Sequence, residues 1–239
     1  LEDESVLQQQ PDQAALTERY VERCVRFMRE NRGRPFFLYF AHMHVHLPLI
    51  APQYFLQRSR NGAYGAAVEC VDWSVRAILY ELKQLGLDEN TLVVFTSDNG
   101  SRCDFGPSNG ALRGRKGQTY EGGMRVPCIF RWPGRIPAGT TCRELATAMD
   151  VLPTFSGLAG TEVPQDRIID GHDIRPLLMS EPGAKSPYEA FFYYRRSELQ
   201  AVRAGRWKLR LDSGELYDLQ ADTCETTDVA GANEAVVKD

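Results

Sequence analysis

Stretches with helical periodicity alternate with short, continuous apolar runs, and this alternation limits the fold more than any other feature of the 239 residues. Pro11 to Glu30 reads as a helix, because Leu16, Tyr20, Cys24 and Phe27 recur at three- and four-residue spacing. A second helix is predicted from about Ala63 to Leu85. Its stripe is Val68, Val71, Val75, Ile78, Leu82 and Leu85, with Gly86 placed as a C-cap glycine. Around these lie Phe36-Phe-Leu-Tyr-Phe40, Leu92-Val-Val-Phe-Thr96 and Val126-Pro-Cys-Ile-Phe-Arg131. Runs of this kind suit strands buried on both faces. Helices alternating with such strands require crossover connections, so the expected class is α/β, with a mostly parallel sheet flanked by helices. Arg143 to Leu158 is a further helical stretch, limited or kinked by Pro153.

The texture changes near Pro187. Ala190–Tyr194, Gln200–Arg203, Trp207–Leu211 and Glu215–Leu219 are short and closely spaced, separated by Gly205 and Ser213-Gly214. They predict a small C-terminal antiparallel sheet with a terminal helix after it, and a domain boundary between residues 185 and 186.

Composition removes several function classes. Lys and Arg number 28 against 32 Asp and Glu, a net charge of −4 that lacks the clustered basic face nucleic acid requires. The longest apolar runs reach about a third of the ~18 residues that cross a bilayer, so no membrane span is expected. The opening Leu1 to Gln10 is acidic and Gln-rich and does not read as a signal peptide. Six cysteines stand at 24, 70, 103, 128, 142 and 224 without a C-x-x-C pair, leaving room for one or two bridges. Cys24, Cys70 and Cys128 are expected to act as small hydrophobes on helices and a strand.

In open parallel sheets, ligand sites lie beyond the carboxyl ends of strands. Two of the predicted strands deliver polar clusters there. After Phe40 come His42, His44 and His46; after Thr96 comes Ser97-Asp98-Asn99-Gly100. A lone buried histidine is commonly a satisfied core residue, and Asp-Asn-Gly is commonly a turn. Asp98 and Asn99 also offer two hard oxygen donors for Ca²⁺ or Mg²⁺, which is half a site at most. Asn99-Gly-Ser101 fits a glycosylation sequon as well, and a glycan and a metal cannot share one side chain. The third cluster, Leu112 to Gly134, places Arg113, Arg115, Lys116 and Arg125 among glycines. It reads either as a solvated basic loop or as a cradle for a compact oxyanion such as sulfate or phosphate. It is not a P-loop, since Gly-Lys-Ser/Thr is missing.

Taken in order, these three segments resemble the sulfatase family, within the alkaline-phosphatase-like superfamily. The matching stretches are Pro35 to Pro48, Asn90 to Gly100 and Leu112 to Gly134, with fainter matches at Asp170–Leu178 and Leu216–Leu219. The resemblance implies a sulfuric ester hydrolase acting on a small-molecule or carbohydrate sulfate ester; the alternative within the superfamily is a phosphoester or phosphonate hydrolase. It implies that Asp98 and Asn99 are metal ligands, for Ca²⁺ or else Mg²⁺. Lys116 and His46 are implied to be catalytic and to contact substrate, with His44 and Arg115 as further substrate-binding positions; His42 and Arg125 are left as structural. The family's formylglycine nucleophile arises from Cys-x-Pro-Ser-Arg, and no cysteine here has that setting; an adjacent Asp-Asp pair is also missing. Residues 1–185 are therefore expected to be the C-terminal part of a catalytic α/β domain, and 186–239 a small subdomain. By itself such a chain is expected to be catalytically inactive, and to associate through an exposed sheet edge. Family habit implies a periplasmic, secreted or lysosomal location. Residues 53–66 and 101–111 are the expected substrate-selecting loops.

Overall fold

The computed structural model describes residues 3–104 and 108–238, which fall into two compact units, Leu1–Thr91 and Leu92–Asp239. The first unit is built on helices α1 (Leu16–Asn31) and α3 (Gly62–Gln84), with the short α2 (Gln53–Leu56) between them. The buried stripe of α1 is Thr17, Val21, Cys24, Met28 and Asn31, turned by one residue from the predicted stripe. On α3 the buried residues include Ala66, Ala67, Cys70 and Ser74, while Val68 is exposed. Small side chains weigh little in a hydrophobicity pattern, yet they are what permits a close helix–helix approach. Arg29 of α1 grips Glu81 of α3 through two hydrogen bonds of 2.6 and 3.0 Å. Gly86, at φ 69°, ends α3 as predicted: Leu87 N–H donates to Leu82 O at 2.9 Å and Gly86 N–H to Lys83 O at 3.1 Å.

The run Phe36–Phe40 forms no strand ladder among the described residues. Phe36, Leu38 and Phe40 are half-buried and alternate with exposed Phe37 and Tyr39, so one face is covered rather than two. Phe36 stacks edge-on against Phe27, and Phe40 against Tyr20. A continuous apolar run encodes burial, but not which strand supplies the hydrogen bonds.

In the second unit, β1 (Val93–Thr96) pairs antiparallel with β2 (Cys128–Arg131), Val93 opposite Arg131 and Thr96 opposite Cys128. Between them lies the one-turn helix α4 (Glu121–Met124). The α/β class holds, while the pairing seen among the described residues is antiparallel. Helix α5 (Val151–Leu158) begins eight residues after Arg143, behind a 3₁₀ turn capped by Thr147. The Thr147 hydroxyl accepts from Met149 N–H at 3.2 Å, and Asp150 Oδ2 accepts from Thr147 N–H at 2.6 Å. Pro153 is third in α5, where its missing N–H would have had no partner. Thr147→Ala is expected to cost about 0.5–2 kcal/mol, read from the urea midpoint.

After α6 (Arg175–Leu178) the chain makes the predicted meander, a four-stranded antiparallel sheet in sequence order: β3 (Phe191–Arg195), β4 (Glu198–Ala204), β5 (Trp207–Arg210) and β6 (Leu216–Asp218). Helix α7 (Glu234–Lys238) follows. This sheet belongs to the same compact unit as residues 112–134. All six cysteines are free; Cys24 and Cys70 are buried, whereas Cys128 is exposed in β2, contrary to expectation. No helix among the described residues is long and apolar enough to cross a membrane.

Candidate active site

In the first unit the three histidines follow the Phe36–Phe40 run. His42 stacks beside Phe40 at 5.1 Å and Tyr20 at 6.5 Å, and burial together with the neighbouring His44 lowers it to about 4. It is therefore neutral at physiological pH, in keeping with a structural role. His44 is also lowered by burial, and neither of its buried ring nitrogens has a hydrogen-bond partner. His46 is exposed. Its Nδ1 lies 2.8 Å from Leu47 O; a carbonyl only accepts, so Nδ1 carries the hydrogen and Nε2 is left for a ligand.

In the second unit the Asp98-Asn99-Gly100 turn leaves β1 and is pinned to the cationic loop. Gly100 N–H donates to Gly123 O at 3.0 Å, and Lys116 N–H donates to Ser101 O at 2.9 Å. A Cβ on Gly100 would stand 1.9 Å from Gly122 O, so the approach requires glycine. Asn109 closes the loop, its Oδ1 accepting from Ser101 N–H at 2.7 Å and its amide donating to Gly114 O at 3.0 Å. Residues 105–107 of the predicted 101–111 loop lie outside the described residues.

The four cations of the loop separate by their partners. Arg113 donates to Tyr217 Oη and to Glu225 O, both at 2.9 Å, and lies over the Tyr120 ring. Arg125 bonds Glu121 at 2.8 Å. Arg115 bonds Asp104 at 2.6 Å; Arg102 and Arg115 together hold the Asp104 carboxyl below the usual range. Lys116 is exposed, and its ammonium has no ion pair among the described residues. Of the four, it is the one available for an anion. Lys116 and Arg115 line a cleft of about 270 Å³, and Asn99 lines another of about 390 Å³.

Sequence reasoning missed what holds this loop in place. Lys208 Nζ lies 3.0 Å from Glu121 Oε1 and 2.8 Å from Glu225 Oε1, with all three residues almost fully buried. Glu121 N–H donates to Glu225 Oε2 at 2.6 Å. Burial pushes the Glu121 carboxyl up, but the charges of Lys208 and Arg125 outweigh it and hold it below the usual range. Arg210 Nη1 donates to Thr119 Oγ1 at 3.2 Å and stacks over Tyr120 at 4.0 Å. The inner face of β5 is thus Lys208 and Arg210, with Trp207 and Leu209 only half-buried. A strict alternation places Lys208 and Arg210 on one face from sequence, but hydrophobicity assigns that face to solvent.

The Asp170–Leu178 segment is similarly structural. His172 N–H and Tyr188 Oη both donate to Asp150 Oδ1, at 2.9 and 2.5 Å. Burial, reinforced by the Asp150 carboxylate, pushes Tyr188 up to about 12.

Asp98 is exposed and Asn99 half-exposed on one turn, so their oxygen chemistry fits a hard cation. Their number does not complete a coordination sphere: no group of three His, Cys, Asp or Glu able to hold a metal exists among the described residues.

The chain matches the sulfatase family profile over residues 2–161, and the profile of the N-sulphoglucosamine sulphohydrolase C-terminal region over residues 115–238. It is similar to a steryl-sulfatase of Mus musculus, 41% identical over 241 residues that cover 96% of this chain and 38% of that protein. An N-acetylgalactosamine-6-sulfatase of Canis lupus familiaris is 40% identical over 229 residues, covering 92% and 43%. The crystal structure of Ps i-CgsB, also known in complex with k-i-k-neocarrahexaose, aligns with a TM-score of 0.84 at 30% identity, covering 93% of this chain and 52% of that one. The chain thus spans less than half the length of these two curated relatives. Its profile match and these identities place it by descent: it belongs to the sulfatase family.

Proposed function

We propose that this chain supplies the sulfate-holding and leaving-group side of a sulfuric ester hydrolase active centre. The observation that carries the reading is the Lys116–Ser101 backbone bond of 2.9 Å, which joins the Asp98-Asn99 turn to a lysine without an ion pair among the described residues. Lys116 would bind the ester's sulfate and stabilise negative charge as the S–O bond breaks. The electron pair leaves on the alcohol or phenol oxygen. The family resemblance gives His46 the leaving-group side, where it would, once protonated, donate a proton from Nε2. Arg115 would add charge to the substrate while bonded to Asp104, and His44 would offer a neutral ring nitrogen. A Ca²⁺ or Mg²⁺ ion, held in part by Asp98 and the Asn99 carbonyl, would supply positive charge against the sulfate oxygens. No cysteine here fits the formylglycine motif, so the nucleophile would come from residues outside this chain.

The substrate is proposed to be a small-molecule or carbohydrate sulfate ester, in the periplasmic, secreted or lysosomal setting that family resemblance suggests. The isolated chain is expected to turn over nothing and to associate through its sheet edges. The test uses the full-length protein from which the chain derives. Lys116→Ala should lower kcat for an aryl sulfate by about 10²–10³-fold, the usual cost of one lost charge-stabilising donor. Unchanged turnover would remove Lys116 from the mechanism. Faster hydrolysis of a phosphate monoester than of the sulfate would favour the phosphoester reading instead.

A further inference from the structure

The hairpin tip between β3 and β4 faces the same cleft as Asn99 and has no role in the chemistry above. Tyr194, Arg195 and Arg196 form one wall of the 390 Å³ cleft; Gly117, Thr119 and Met124 are among the residues that complete it. The volume lies within the range of small-ligand sites. Among the described residues, no acidic one lines it. Neither Arg195 nor Arg196 makes a side-chain hydrogen bond or ion pair among the described residues, and both are exposed. The nearby Glu198 is engaged elsewhere, accepting from Gln200 Nε2 at 3.1 Å.

The backbone directs these side chains. The β3–β4 register shifts between Tyr193 and Tyr194, and Arg196 takes a left-handed φ of 57°. Such a shift bends the strand and re-aims the residues after it. Its base is held by the buried network already described, for Tyr193 Oη donates to Glu121 Oε1 at 3.3 Å and lies under Lys208 Nζ. A buried anchor therefore holds the hairpin tip whose Arg195 and Arg196, without an ion pair among the described residues, line a cleft that begins at the candidate metal turn.

We infer that Arg195 and Arg196 form a subsite for a second anionic group on the substrate, a sulfate or carboxylate other than the ester being cleaved. Planar guanidinium groups bind such oxyanions through paired charge-assisted hydrogen bonds. The preferred substrate is accordingly a multiply anionic saccharide rather than a neutral apolar alcohol carrying one sulfate. This rests on reading Asn99 and Lys116 as the sulfate-holding side.

The test compares R195A/R196A with wild type in the full-length protein. Two readouts are taken: kcat/KM for a disulfated disaccharide against p-nitrophenyl sulfate, and equilibrium binding of the same disaccharide by calorimetry. The double variant is expected to lose about 10- to 100-fold more kcat/KM on the disaccharide than on the aryl sulfate, with a parallel loss of binding. R195K/R196K should recover part of it. Equal losses on both substrates, or no loss of binding, overturn the subsite. If wild type hydrolyses neither ester but binds the disaccharide through these arginines, the hydrolase reading fails and the subsite stands. A disaccharide with one sulfate and one uronate carboxylate, run alongside, tells which anion is preferred.

Discussion

Lys208→Ala is expected to destabilise the protein by about 3–5 kcal/mol, the range found when one partner of a buried ion pair is removed. Here the effect should sit at the upper end, because two carboxylates share one ammonium. Glu121 and Glu225 would remain in a dry environment, with Arg125 the remaining cation bonded to Glu121. Urea unfolding of the variant against wild type measures the cost. The pH dependence adds a second, signed expectation. In wild type the Glu121 carboxyl is held below its usual range, so its contribution is present above the ordinary carboxylate pKa and is lost as the pH falls. In the variant the Lys208 charge is gone and Arg125 alone is left to offset the burial of Glu121, so protonation of the carboxyls relieves the repulsion. The gap between variant and wild type should therefore narrow from pH 7.5 to pH 5. A gap that widens on acidification would contradict the assignment of charge. Combining Lys208→Met with Glu121→Gln and Glu225→Gln should restore most of the stability, since no buried charge is left uncompensated and Arg125 is part-exposed.

Gly122→Ala carries the second large effect. An added Cβ would stand 2.5, 2.6 and 2.8 Å from the carbonyl oxygens of Gly114, Arg113 and Leu112. These are backbone atoms of the loop that carries Arg115 and Lys116, and Arg113 O also accepts from Gly122 N–H at 2.7 Å. None of them yields as the end of a flexible side chain would. The substitution is expected to cost about 3 kcal/mol or more, the upper range of overpacking. It should also displace Lys116 from Ser101; on the proposed hydrolase reading, turnover would then fall well beyond any loss of folded fraction. Gly134→Ala is the comparison. Its Cβ would meet nothing within 4 Å, and the remaining penalty is the left-handed φ of 73°. If both variants behave alike, the close approach at Gly122 does not position the loop.

Much of the molecule is legible in sequence because its code there is local. The end of α3 follows from Gly86, whose left-handed φ needs no distant partner. The four strands of the meander follow from alternation punctuated by Gly205 and Gly214. The clustering of Asp98, Asn99, Arg115 and Lys116 follows from motif order, and the backbone bond from Lys116 to Ser101 brings them together. Pairing partners were less readable. The Phe36–Phe40 run declares that it must be covered, and the chain covers one face with Phe27 and Tyr20 rather than with strands among the described residues.

What the sequence by itself determined is therefore the α/β class, the order of elements and the list of residues able to handle an oxyanion. Each depends on periodicity or on groups close in the chain. Only the tertiary structure decided which of the four loop cations stays available. Arg113 is claimed by Tyr217 and Glu225, 104 and 112 residues away, and Arg115 by Asp104, 11 residues away. It also decided that Lys208 and Arg210 face inward, against the hydrophobic rule. A buried charge is tolerable only beside its counter-charge, and Glu121, which bonds Lys208, lies 87 residues away in the chain. No local pattern encodes that distance; folding does.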